Sequence, residues 1–302
     1  MPRQAYVNGR YLPHRQGAVH IEDRGFQFAD GVYEVVPVRE RILIDEEPHL
    51  DRLERSLREL RIAMPVQRAT LKLIARELIR RNDLSNGLVY MQITRGSAPR
   101  EHAFPAHASP TLVMTTRQLK PHREALLRDG VAVITVPDIR WRRCDIKSIG
   151  LLPNVLVKQA AAEAGAYEAW QVDDQGRVTE GSSTNAWIVT EDGTAVTRDA
   201  SQAILNGITR LSLLKVIRAA GYGFAERPFT VAEAKAAREA FLTSSTSYVM
   251  PVTRIDGVPV GDGRPGALTM ALRQQYVDYM AGCAAAERGA AATGSAETGV
   301  GA

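Results

Sequence analysis

Two short runs of this chain put reactive side chains where packing has little use for them. Lys147 lies in Arg143-Cys144-Asp145-Ile146-Lys147-Ser148, and Glu180 in Thr179-Glu180-Gly181-Ser182-Ser183-Thr184-Asn185. A primary amine can condense with an aldehyde, and a carboxylate can keep a ring nitrogen protonated. Taken singly, the same residues also read as a solvated lysine and a water-facing glutamate ahead of a turn, and an ionisable pair is by itself a weak signal. The rest of the chain has to decide.

The elements that must position these residues are visible as periodicities. Asn8-Gly9-Arg10, between Ala5-Tyr6-Val7 and Tyr11-Leu12, predicts a hairpin, because Asn-Gly readily takes positive φ. Leu50, Leu53, Leu57 and Leu60 recur at helical spacing from Pro48 to Ile62, and Leu71, Ile74, Leu78 and Ile79 predict a second helix ending near Asn82. Strands are expected over 88–94 and 111–116. The polar, proline-interrupted stretch Arg117 to Arg123 is the expected linker. Beyond it the patterns predict strands at 131–136, 168–172, 186–190, 195–197, 240–243 and 249–253. Helices are predicted at 154–164, at 211–220 with Thr209 as N-cap, and at 268–279. The expectation is an α+β chain of two domains: a small N-terminal α+β domain over 1–118 and a larger, β-rich C-terminal domain with flanking helices over 119–283. A tail, 284–302, holds little to bury and is expected to be disordered.

Composition removes several function classes. The net charge of +4 is spread over runs such as Arg52-Leu53-Glu54-Arg55, which read as solvated helix faces, so no nucleic-acid stripe is expected. The same lack of clustered basic residues argues against a non-catalytic basic protein that binds nucleic acid or a partner surface. Two distant cysteines and six scattered histidines predict neither a disulfide framework nor a metal site. No export signal and no membrane-spanning run is seen, and a cytoplasmic location is expected. Gly261-Asp262-Gly263-Arg264-Pro265-Gly266 has the spacing of a dinucleotide fingerprint, but too little chain follows it for a βαβ unit, so it reads as a turn.

An amine and a carboxylate of this kind are the pair that pyridoxal phosphate needs, and that cofactor also demands phosphate donors. Leu205-Asn206-Gly207-Ile208-Thr209-Arg210 offers a glycine turn entering a helix, where backbone N–H groups and the helix dipole favour an anion. Thr243-Ser244-Ser245-Thr246-Ser247 adds hydroxyls.

In order along the chain, these segments resemble the fold-type IV pyridoxal phosphate enzymes, and within them the D-amino acid aminotransferases. The resemblance runs from about Tyr6 to Tyr279. It is carried by Glu22-Asp23-Arg24-Gly25-Phe26-Gln27-Phe28, Asp30-Gly31-Val32-Tyr33-Glu34, His49-Leu50-Asp51-Arg52-Leu53, Thr94-Arg95-Gly96, Arg100-Glu101-His102-Ala103-Phe104-Pro105 and Asp138-Ile139-Arg140-Trp141, with the Lys147, Glu180, Gly207 and Ser244-Ser245 segments. It implies that Lys147 bonds the cofactor aldehyde and Glu180 pairs with the ring nitrogen. It implies that Arg52, Gly207, Ile208, Thr209, Ser244 and Ser245 bind the phosphate, and that Leu205 packs against the ring. Tyr33, Arg100 and His102 would bind the substrate carboxylate, the last two reaching across from the partner subunit of a homodimer. The implied reaction is ping-pong transfer of an amino group from a D-amino acid such as D-alanine or D-glutamate to pyruvate or 2-oxoglutarate. Branched-chain L-aminotransferases and aminodeoxychorismate lyases, the alternatives of the same fold type, share the lysine and glutamate but are not expected to carry Arg100-x-His102. Ser245 stands where the family often has threonine, which retains the hydroxyl. Asn206 and Tyr248 also depart from relatives, with no role assigned.

Overall fold

The computed structural model describes residues 3–121 and 124–297. It divides into two compact units: Met1–Lys120 with Ile146–Gly150 and Tyr279–Ala302, and Pro121–Asp145 with Leu151–Asp278. Each has its own apolar core.

The first unit is built on an antiparallel sheet in the order β2-β1-β6-β5-β3-β4. Its strands are β1 (Gln4–Val7), β2 (Arg10–Pro13), β3 (Gly31–Arg39), β4 (Ile42–Leu43), β5 (Gly87–Thr94) and β6 (Thr111–Gln118). Asn8 at φ 42° and Gly9 at φ 89° form the two-residue turn that pairs Val7 with Arg10, as a twisted hairpin requires. A short helix, α1 (Arg24–Phe28), precedes β3; α2 (Glu46–Glu59) and α3 (Arg68–Arg81) follow β4. Leu50, Leu53 and Leu57 of α2 and Leu71, Ile74 and Leu78 of α3 bury against Val32, Val36, Val89, Met91 and Met114 of the sheet. Burying one such side chain contributes about 1.5–3 kcal/mol. The buried stripe of α2 also carries His49 and Ser56, two polar residues at positions that packing alone would fill with leucine.

The second unit begins with α4 (Glu124–Arg128) and holds a mixed nine-stranded sheet, ordered β12-β11-β10-β13-β14-β7-β8-β9, with β15 (Val258–Pro259) beside β14. The strands are β7 (Val131–Pro137), β8 (Glu168–Val172), β9 (Val178–Gly181), β10 (Asn185–Val189), β11 (Ala195–Thr197), β12 (Phe224–Glu226), β13 (Glu239–Ser244) and β14 (Tyr248–Ile255). Strand β7 runs parallel to both β14 and β8. Helices α5 (Leu152–Glu163), α6 (Ile208–Ala219) and α7 (Val231–Lys235) connect the strands, and α8 (Ala267–Glu297) closes the described chain. Trp170 and Trp187 are fully buried here, the latter stacked on Phe241 and donating from Nε1 to Thr243. The glycine-rich run at 261–266 is a turn, with Gly261 and Gly263 at positive φ.

Four expectations need correction. Residues 146–150 group with the first unit rather than with a C-terminal domain starting at 119, because Tyr33 N donates to Lys147 O (3.0 Å) and Ile149 N to Gly31 O (3.1 Å). The expected tail is helical from 284 to 297, with Ala284 buried; alanine extends a helix already nucleated at low cost. Arg288 pairs with Glu40, and residues 298–302 of that tail lie outside the described residues. Of the expected linker, β6 takes Arg117 and Gln118, while His122 and Arg123 lie outside the described residues. Finally, the N-cap of α6 is Gly207, with Thr209 inside the first turn.

Candidate active site

In the first unit, Lys147 is clipped beside β3 by the Tyr33–Lys147 backbone bond and a bridge between Val32 and Ser148. Its own N–H donates to Ser56 Oγ on the buried stripe of α2 (3.4 Å). The half-buried ammonium lies 4.1 Å from the centroid of the Tyr33 ring. Among the described residues it makes no hydrogen bond or ion pair, so the amine has no competing polar partner.

Arg52, on the same helix, meets Glu34 of β3 edge to edge, with Nε to Oε1 and Nη2 to Oε2 both at 2.8 Å. His49 Nδ1 lies 2.7 Å from Glu34 Oε2. Glu34 is fully buried; burial alone would raise its pKa, but the Arg52 charge and the bonds to both neighbours bring it down to about 2. Burial pushes the His49 pKa down against the pull of Glu34, so a neutral ring donates from Nδ1 to an ionised carboxylate. Arg52 therefore has a fixed orientation.

Arg100 and His102 sit exposed in the irregular connection between β5 and β6 and pack on Phe28, with the Arg100 guanidinium carbon 4.7 Å and the His102 ring 5.4 Å from its centroid. Among the described residues neither makes a hydrogen bond, ion pair or ring contact with Tyr33 or Lys147.

In the second unit, Glu180 is the last residue but one of β9 and has both carboxylate oxygens engaged. Leu205 N donates to them at 3.2 and 3.1 Å, Asn185 Nδ2 donates at 3.0 Å, and Arg140 forms a close ion pair. Arg140 is held in turn by Asp138, with Nε to Oδ1 at 2.9 Å and Nη2 to Oδ2 at 2.7 Å. Burial works against the Arg140 charge, but bonding to Asp138 and the Glu180 charge raise its pKa above the usual arginine range. Thr179 Oγ1 donates to Asp138 Oδ2 at 2.7 Å and closes the network. The segment alternates: Arg140 points inward while Ile139 and Trp141 on either side are exposed, Trp141 at 47%. Cys144, whose thiol burial pushes up to about 12, is protonated near neutral pH and no nucleophile.

Two glycines make this arrangement possible. A Cβ on Gly181 would stand 2.1 Å from Thr184 Oγ1, and one on Gly207 would stand 2.2 Å from Asn185 Oδ1. Gly207 caps α6 with no side-chain acceptor, leaving the first N–H groups of a twelve-residue helix, those of Ile208 and Thr209, without the usual cap. Ser244 and Ser245 lie at the turn from β13 to β14, where Ser244 Oγ accepts from Thr246 N (3.3 Å) and Ser247 N (3.0 Å), and Ser245 is half-buried. Asn206 Oδ1 accepts from Arg210 Nη1 (3.1 Å), fixing the first turn of α6. Tyr248, at φ 58°, makes the turn into β14 and packs its ring near Tyr276.

The residues present suit pyridoxal phosphate. The uncommitted amine fits an aldehyde, the uncapped helix start of α6 an anion, and the carboxylate fixed by Leu205, Asn185 and Arg140 a protonated ring nitrogen. The structure brings Lys147 to Tyr33, Arg52 to Glu34 and His49, and Leu205 to Glu180. Sequence reasoning missed the roles of Glu34, His49, Asp138, Arg140 and Asn185. The signal for the first two was a charged or polar residue at an apolar-stripe position.

Residues 31–255 match the family model for amino-transferase class IV, and the chain belongs to that family. Among its relatives, the D-alanine aminotransferase of Bacillus licheniformis is 43% identical over 263 residues, covering 87% of this chain and 92% of that protein. That of Staphylococcus epidermidis is 38% identical over 280 residues, covering 92% of this chain and 98% of that protein. The fold is also that of the Escherichia coli branched-chain amino acid aminotransferase, with a TM-score of 0.86 at 22% identity over 93% of this chain and 95% of that one. The branched-chain aminotransferase of Thermoproteus uzoniensis, solved with norvaline, gives 0.83 at 22% identity, over 93% and 95%.

Proposed function

We propose that this chain is a pyridoxal 5′-phosphate-dependent D-amino acid aminotransferase that passes the amino group of D-alanine or D-glutamate to pyruvate or 2-oxoglutarate in two half-reactions. When bound, the cofactor supplies an aldehyde carbon to take the amino group and a protonated ring to receive electron density. Lys147 would anchor that aldehyde and, with substrate bound, would take and return the proton at the substrate Cα. Glu180, kept ionised by Arg140 and by the Asn185 and Leu205 donors, holds the proton on the ring nitrogen. The Ile208 and Thr209 N–H groups at the Gly207 cap bind the phosphate together with Ser244, Ser245 and the Arg52 guanidinium that Glu34 and His49 orient. Leu205 bounds the ring. Tyr33, Arg100 and His102 bind the substrate carboxylate, the last two from the partner subunit of a cytoplasmic homodimer.

The observation that carries the reaction is the Lys147 amine, seated over Tyr33 without a polar partner among the described residues. The hand of the substrate is supported by the Arg100-x-His102 element and by the D-alanine aminotransferases among the relatives. A carboxylate fixed on one side, with the Cα–H directed at Lys147, admits one enantiomer to productive geometry. The test compares turnover of D-alanine and L-leucine with 2-oxoglutarate as acceptor. Faster reaction of D-alanine is expected, and faster reaction of L-leucine would replace this reading with a branched-chain one.

A further inference from the structure

The connection between β5 and β6 that carries Arg100 and His102 contains no regular element, and its side chains from Arg100 to Phe104 are exposed. Such a segment pays roughly 1 kcal/mol per residue in backbone entropy to hold one shape. Something must fix it if its two side chains are to meet a carboxylate in a set geometry.

We propose that Arg24 is a positioning residue that clamps the backbone of this segment, and that Phe28 seats its two functional side chains. The inference rests on the reading of Arg100 and His102 as carboxylate ligands. Arg24 begins α1 and is only 3% exposed. Its Nε meets Asp30 Oδ2 at 2.8 Å, Nη1 donates to Glu101 O at 2.5 Å, and Nη2 donates to His102 O at 3.3 Å. One planar fork thus binds a carboxylate and two successive carbonyls of the segment, which a lysine cannot do. The anchor is firm at its other end. Arg24 N donates to Gly96 O, and Asp30 is shared with Arg95, at 2.7 Å from Nε and 3.0 Å from Nη2. Arg95 in turn donates to the carbonyls of Leu60 and Arg61 and lies 3.7 Å from the Phe104 ring centroid, pinning the segment beyond His102. Phe28, one turn along from Arg24, is the common floor: the guanidinium carbons of Arg24 and Arg100 lie 4.8 and 4.7 Å from its centroid, and the His102 ring 5.4 Å.

The holoenzyme variants Arg24→Met, Arg24→Lys and Phe28→Leu test this, with Arg100→Ala as reference. Three quantities are read: the KM for D-alanine, the dissociation constant of propionate by calorimetry, and amide hydrogen exchange over 99–105. Arg24→Met and Arg24→Lys should both raise the two constants about tenfold, the size of one charge-assisted hydrogen bond, with kcat near that of the wild type. Exchange over 99–105 should quicken in both. Arg100→Ala should raise the same constants while leaving exchange as in the wild type. Should Arg24→Met fail to fold, Phe28→Leu is expected to raise the two constants. If Arg100→Ala raises the constants and the Arg24 and Phe28 variants do not, the positioning inference is overturned alone. Wild-type behaviour of Arg24→Lys would likewise overturn the clamp, because charge would then suffice. If Arg100→Ala leaves both constants unchanged, the carboxylate reading fails and takes this inference with it.

Discussion

Lys147 and Glu180 are held in opposite ways. The lysine rests over an aromatic face with no polar group bound to its nitrogen among the described residues, while the glutamate has both oxygens bound by Asn185, Leu205 N and Arg140. The difference suits the role proposed for each group. An amine that makes and breaks a covalent bond gains nothing from an ion pair it must first give up. A carboxylate that only has to stay ionised beside a developing charge works best when fixed in advance. Glu34 follows the second pattern, saturated by Arg52 and His49.

The sharpest break in that contrast is Lys147→Ala, which should lower turnover by on the order of a thousandfold or more while retaining some cofactor through its phosphate contacts. Borohydride reduction of the wild-type holoenzyme followed by peptide mapping checks the assignment, and a pyridoxyl label on any other lysine would refute it. Glu180→Gln should come next, with a loss of about a hundredfold in the proton-transfer step, the effect of removing one tuned electrostatic contact. Single-turnover kinetics at the wild-type rate would remove Glu180 from its role. The smallest expected effect on turnover is that of Glu34→Gln, which should act on stability, costing about 3 kcal/mol near neutral pH by leaving the Arg52 charge without its partner.

The Glu34 case has a pH signature. Its folded pKa of about 2 lies below the ordinary 4.5, so its contribution is full above 4.5 and is lost as pH falls from there toward 2. His49, whose pKa burial lowers, adds a loss that begins as pH falls through the ordinary 6.5. Thermal melts of the wild type should therefore decline steeply between pH 4.5 and 2. Those of Glu34→Gln should start lower and decline less over that window, and parallel curves would show that Glu34 is not the titrating group.

Legibility in the sequence followed the range of the interactions. Helices α2 and α3 and the Asn8-Gly9 hairpin were readable because local periodicity and turn chemistry decide them. Strand β3 was not expected as a strand, although it carries Tyr33 and Glu34. Pro37 interrupts it, and a fully buried glutamate breaks its apolar pattern, being tolerated only through His49 and Arg52, fifteen and eighteen residues away. The N-cap of α6 was placed two residues late, since Thr209 is the usual capping type; the closeness of Asn185 to Gly207 that leaves room only for glycine is tertiary. Lys147, Glu180 and the Gly207 segment were singled out by residue type and resemblance. The groups that hold Glu180 in place, Asp138, Arg140 and Asn185, acquire meaning only from the distances.

The alternation at Ile139, Arg140 and Trp141 also gives the chain a built-in optical gauge. Of its three tryptophans, Trp170 and Trp187 are buried in the second unit and Trp141 alone is open to solvent. A small neutral quencher therefore reaches one indole of the three, and the emission it removes comes from the neighbour of the arginine that holds Glu180. The difference between quenched and unquenched spectra follows this short stretch of chain without any attached dye.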